Sequence, residues 1–165
     1  MKKLILCALI ALPMSLFAQK FAHINSQLII QAMPEYATAQ AEIETLQNQY
    51  KEELKRIQDE FQTKYEDYQK NGASLPEAAK QRREQELKDL DQHLQQYYQT
   101  SEADLQKQGN EKLAAITEKV AKAINEVGTS GGYVYVMDLT SGIPFINETL
   151  STDVTEQVKS KLGIK

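Results

Sequence analysis

Between Ile43 and Tyr68 the chain places its apolar and aromatic residues with a regularity that permits few folds. Ile43, Leu46, Tyr50, Leu54, Ile57, Phe61, Tyr65 and Tyr68 follow one another in steps of 3-4-4-3-4-4-3, and all eighteen residues between them are polar or charged. That spacing is a helix with one narrow apolar stripe, which can bury itself against a single partner line and no more. A heptad frame started at Ile43 would put Glu53, Glu60, Lys64 and Asp67 into the seam. An eleven-residue frame fits all eight positions. Eleven residues in three turns is about 3.67 per turn, so the seam runs nearly straight or slightly right-handed.

The partner line follows in the sequence. Asn71-Gly72 reads as a helix stop and Pro76-Glu77 as a restart. The same frame then resumes at 87, 90, 94, 98, 101, 105, 109, 112, 116, 120, 123 and 127. Nine of these twelve positions are Leu, Tyr, Ile, Val or Ala, the exceptions being Ser101, Gly109 and Lys112. A short loop makes the two helices antiparallel neighbours. Folding about it predicts an arm seam of Ile43, Leu46, Tyr50, Leu54, Ile57 and Phe61 against Leu87, Leu90, Leu94, Tyr98 and Leu105. Tyr50 then falls near Tyr98, and Ala39 near Gly109. The first helix would be roughly 50 Å long at 1.5 Å per residue. Gly109 costs about 1 kcal/mol relative to Ala in a helix, and reads equally as a hinge or as close packing of small residues.

The segments outside residues 35–127 have a different composition. KFAHI (20–24) and YVYVM (133–137) read as strands, Asp138–Gly142 as a turn, and IPFIN (143–147) as a returning strand. Ser26 is expected to cap a short helix that Pro34 ends. Asp153-Val-Thr-Glu156 reads as a capping box opening a last helix, with Val154, Val158 and Leu162 on one face. The expected fold is α+β and mainly α: a helical-hairpin arm (35–127, tip 71–76) inserted in a β-rich body (19–34 and 128–165). Three strands cannot bury both faces alone, and an edge as apolar as Tyr133, Val134, Tyr135 and Val136 invites pairing with another chain.

Residues 1–18, with Lys2 and Lys3, an apolar run and Ala18 before Gln19, have the layout of a secretory signal peptide. The run is too short for a membrane span and is interrupted by Pro13. Removing it takes away Cys7, the sole cysteine, and leaves 17 basic against 23 acidic residues. The mature chain is therefore expected to be exported without disulfide or thiolate chemistry. Its balance does not suit a nucleic-acid binder. All of the net −6 lies on residues 35–127, which carry 13 basic and 19 acidic residues. The tip alone is basic: Lys70, Lys80, Arg82 and Arg83 outnumber Glu77 between residues 68 and 83, which reads equally as a solvated helix end or as a candidate contact for an anionic membrane surface.

Catalytic signatures are missing. His23 and His93 have no partner at metal-ligand spacing, and the chain has no GxSxG, P-loop or dinucleotide motif. No enzyme activity, cofactor, metal or small-molecule substrate is expected.

The order of "FAHIN" (21–25), "PEYATAQAEIETL" (34–46), the coiled-coil arm, "GGYVYVMD" (131–138) and "TDVTEQVKSKL" (152–162) resembles the Skp/OmpH family of periplasmic chaperones for outer-membrane proteins. The resemblance covers essentially the whole mature chain. It implies a homotrimer whose strands form a common body, with three arms around a central cavity that holds unfolded outer-membrane β-barrel chains without ATP. Tyr97 and Leu113, apolar positions off the seam frame, are candidate client contacts. One departure is plain: the best-known member is strongly basic and this chain is acidic, so a lipopolysaccharide site is not carried over. A structural coiled-coil spacer or envelope adaptor is the alternative reading.

Overall fold

The computed structural model describes residues 19–164; residues 1–18, expected from the sequence to be a signal peptide and carrying Cys7, lie outside them. The elements in chain order are β1 (Lys20–Ile24), α1 (Ser26–Ala32), α2 (Pro34–Asn71), α3 (Glu77–Gly131), β2 (Tyr133–Asp138), β3 (Ser151–Asp153) and α4 (Thr155–Lys161). They divide into two compact units. One comprises residues up to Ala32 with Lys119–Lys165, and the other Met33–Glu118. The long helix α3 contributes to both.

In the first unit three strands form a sheet of order β2-β1-β3, and both pairings are parallel. Alternation along β1 sends Ala22 and Ile24 to one face and Phe21 and His23 to the other. The first face is covered. Ala22, Ile24, Ile29, Val120, Ala123, Val127, Val154 and Val158 are all buried and make the apolar interior of this unit. Asn25 caps α1, its Oδ1 accepting from the Leu28 N–H at 3.1 Å. Ser26, the expected cap, is instead held by Asp138. Its N–H and Oγ donate to that carboxylate at 3.2 and 2.5 Å, while Thr140 donates through N–H and Oγ1 at 3.1 and 2.8 Å. Burial by itself would raise the Asp138 pKa, but these four hydrogen bonds outweigh it and hold the group below the usual carboxylate value. Asp153 serves the last helix, accepting from the Thr155 N–H at 2.8 Å, and Val154 and Val158 are buried as the one-face pattern predicts.

Residues 143–147 are not a strand. The third strand is Ser151–Asp153, pairing with β1. Because β2 and β3 both run parallel to β1, the chain must cross back after β2, and such a crossover needs about a dozen residues. Residues 139–150 supply it. Gly142, at φ 75°, turns the chain into this return, and Pro144 has no N–H to give to a ladder.

In the second unit, Met33 is extended (φ −72°, ψ 131°) before Pro34, which opens α2 at its first turn. The 38 residues of α2 span roughly 57 Å. Beyond Asn71 a short 3₁₀ turn, Gly72–Ser74, leads to extended Leu75 before Pro76. Gly72 is not the left-handed stop that Asn-Gly suggests, since its φ is −59°. What it supplies is room: a Cβ there would stand 3.0 Å from the Tyr68 ring. The stop is made by the pre-proline restriction on Leu75.

Candidate functional site

The arm seam is the first surface. Ile57 is 1% exposed, and Ile43, Leu46, Tyr50, Leu54, Phe61, Leu87, Leu90, Leu94 and Leu105 are half-buried. The two helices are fastened across it by polar contacts as well. Tyr50 donates to Asp104 Oδ2 at 2.6 Å, Tyr68 to Glu84, and Lys112 to Glu42, while Lys64 stands 4.0 Å from Glu86. The hydrogen bond to Asp104 is the main cause that raises the Tyr50 pKa, because it stabilises the neutral phenol.

Two neighbouring tyrosines exchange the places expected of them. Tyr97 is half-buried with its ring edge-on to Tyr50 (centroids 6.0 Å, 82°), and His93 meets Tyr97 in the same manner (6.4 Å, 76°). Tyr98, expected in the seam, is 55% exposed. It stands at the flank of the seam, lining a groove of about 400 Å³ with Leu54, Gln58 and Leu94. Leu113 is exposed as an off-frame position should be.

At the level of Gly109 the seam has open space. Gly109 and Ala39 do line one groove, of about 500 Å³, with Tyr36, Ile43, Leu113 and Ile116. Yet a Cβ on Gly109 would meet nothing within 4 Å, so close packing of small residues is not what this glycine provides. Tyr36 belongs to this site and was not singled out by the periodic frame, whereas Ile116 is a frame position. A glycine on a frame position, one turn from an off-frame leucine, is the sequence feature that could have found it.

The second surface is the other face of the sheet, bordered by crossover residues 145–147 and 150. Phe21 stacks on Tyr135 with centroids 4.9 Å apart. His23 is buried between Met137 and Asp153 in register, its Nδ1 sharing a 2.9 Å hydrogen bond with Ser151 Oγ. Around them Tyr135, Met137, Phe145 and Leu150 are exposed, Phe145 to 77%. Of the strand residues expected to pair with another chain, Val134 and Tyr135 are exposed and Tyr133 and Val136 half-buried. Val136 faces Gly128 of α3.

At the tip, Lys70 lies 3.9 Å from Glu66 and Arg83 3.2 Å from Glu86, and Arg82 donates to the Ala78 carbonyl at 3.2 Å. Lys80 is half-buried. Among the described residues no group of three or more His, Cys, Asp or Glu is arranged to hold a metal ion, and no helix is long and apolar enough to cross a membrane.

A long two-helix hairpin with one apolar seam, inserted in the chain between the first two strands of a small parallel sheet, defines a class of arm-bearing, mainly helical proteins. The chain belongs to the OmpH-like outer membrane protein family, whose sequence model matches residues 20–162. It is 29% identical over 169 residues to the chaperone protein Skp of Photorhabdus laumondii, covering 96% of this chain and 100% of that one. To the chaperone protein Skp of Yersinia enterocolitica it is 25% identical over 150 residues, covering 88% and 89%. The fold is similar to the crystal structure of an OmpH-like outer membrane chaperone from Caulobacter crescentus, with a TM-score of 0.75 at 13% identity over 87% of this chain and 83% of that one.

Proposed function

We propose that this chain is an ATP-independent holdase, a non-enzymatic chaperone that binds unfolded outer-membrane proteins in the periplasm and keeps them from aggregating. Membership of the OmpH-like family and the likeness to two Skp chaperones support the chaperone role. The observation that carries the mechanism is the arm's surface. Beside its one seam, Tyr98 and Leu113 remain exposed at open grooves, and Tyr65 is exposed elsewhere on the arm, among solvated charges. Scattered, adaptable apolar contacts of this kind suit a partner with no fixed shape.

Working assembly is proposed to be a homotrimer, with residues 19–34 and 128–165 as its body and 35–127 as the arm. The exposed apolar cluster of Tyr135, Met137, Phe145 and Leu150 on this side of the sheet, together with the outer edge of β2, supports that reading, since exposed apolar surface and an open strand edge gain by association. The arm tip is proposed as a weak contact for anionic membrane surfaces. Two of its cations have ion-pair partners on the arm itself, which keeps the contact weak.

The test is direct. An outer-membrane β-barrel protein diluted from urea should stay soluble when the mature protein is present at one trimer per client, with no nucleotide added. Light scattering that rises as fast with the protein as without it would overturn the holding role and favour a structural spacer.

A further inference from the structure

The groove at Gly109 has a character of its own. Its floor is apolar, formed by Tyr36, Ala39, Ile43, Leu113 and Ile116, and its volume of about 500 Å³ is open where Gly109 lacks a side chain. Its rim is not electrically neutral. Lys112, the one cation lining it, is engaged by Glu42. Glu44, the one carboxylate lining it, is exposed and forms no ion pair or hydrogen bond among the described residues. The surroundings reinforce that sign, because residues 35–127 carry 19 acidic against 13 basic side chains. A partner that places a cation on this rim is attracted both by Glu44 and by the field of the arm, and a partner that places a carboxylate there is repelled by both.

We propose that this groove is a side-chain subsite for client chains, receiving an aromatic or branched apolar residue whose sequence neighbour is Lys or Arg. The proposal rests on the holding role above and names the client segments that role would select. The floor accepts the apolar side chain and Glu44 accepts the neighbouring cation. Unfolded β-barrel chains alternate apolar and polar residues and are rich in aromatic residues, so segments of this form occur along them.

Fluorescent ten-residue peptides with a central Trp flanked by Lys or by Glu, otherwise Ser and Gly, provide the test by anisotropy on the full mature chain. The Lys-flanked peptide should bind about fivefold more tightly at low salt than the Glu-flanked one, the range of an exposed charge pair, and the gap should close as salt is added. Glu44→Gln should shrink it. Gly109→Leu fills the groove and should weaken the Lys-flanked peptide about tenfold, as loss of a pocket's free volume does. Leucine has room at this position and is a better helix former than glycine, so helicity by circular dichroism should be retained. Equal binding of the two peptides, or unchanged binding by the Gly109→Leu protein at full helicity, overturns the proposal. The same preparations go into the light-scattering assay. Suppressed aggregation without peptide preference sinks the subsite and leaves the holding role standing, whereas no suppression by the wild-type protein sinks both.

Discussion

Ile57 carries more of the arm than any other seam position in α2, and replacing it with Ala measures how much one seam can bear. It is the only buried apolar side chain of that helix, 1% exposed, while its seam neighbours Leu54 and Phe61 are half-buried. Ile→Ala removes three carbon groups at about 0.8 kcal/mol each, or about 2.4 kcal/mol. A cavity term would add to this in a closed core, where such changes cost up to about 5 kcal/mol. Here Leu54, one turn from Ile57, lines an open groove with Leu94, so neighbouring side chains have room to shift into the gap and the added term stays small. The expected loss is about 2–3 kcal/mol, which multiplies the opening equilibrium of the surrounding turns by about 30 to 150.

Amide hydrogen exchange on the full mature chain reads this directly. Protection of residues 50–64 and 87–101 should fall by that factor, with residues 20–24 unaffected. Leu113→Ala is the control, since Leu113 is 45% exposed and Ala is the better helix former, and its effect should stay within about 0.5 kcal/mol. If the two substitutions change protection equally, the seam is not what holds α2 and α3 together.

Three further outcomes are expected. Replacing Val134 and Val136 with Asp should dissociate the proposed trimer in sedimentation velocity while leaving much of the arm helicity, and a folded wild-type monomer at micromolar concentration would remove the trimer altogether. Changing Lys70, Lys80, Arg82 and Arg83 to Gln should abolish binding to anionic vesicles and spare client holding, the tip acting only through a field screened over about 8 Å; loss of holding in this variant at moderate salt would make charge the main client contact. Asp138 has a lowered pKa in the folded chain, so its contribution to stability is complete above the ordinary Asp value of about 3.9 and is lost as pH falls below it; Asp138→Asn should lower stability at neutral pH and flatten the acid limb of the unfolding profile, and an unchanged acid limb would refute this.

Much of this was legible because a helix with one partner must write its contact line into its sequence. The frame found Ile57 and, in α3, Ile116, Val120, Ala123 and Val127, all buried. It failed where neighbours compete on equal chemical terms. Tyr97 and Tyr98 are adjacent and alike, about 100° apart on the helix, and the choice was decided by which ring could meet Tyr50. Asn25 and Ser26 are both good caps. The tertiary demand of Asp138 for hydroxyl and amide donors claimed Ser26 and left the cap to Asn25. Residues 143–147 have strand composition, but a parallel sheet is a property of the whole chain path, and nothing local in IPFIN records that the chain must cross over before pairing again.

The charge of the arm bears on the kind of holding proposed above. A wall of continuous apolar surface could grip a client at one place, but the arm has none. Tyr98, Leu113 and Tyr65 are separate points in a field of carboxylates, each able to supply only a weak contact. Several such contacts on one assembly act together through effective concentration, so useful affinity follows even when each is weak and short-lived. On the proposed reading, a client held this way would keep sampling release, which would suit a chain that must later fold elsewhere and would require no nucleotide to drive it off. On that reading the acidic field would favour cationic client segments and, by the same physics, would keep the arm off anionic surfaces everywhere except at the basic tip.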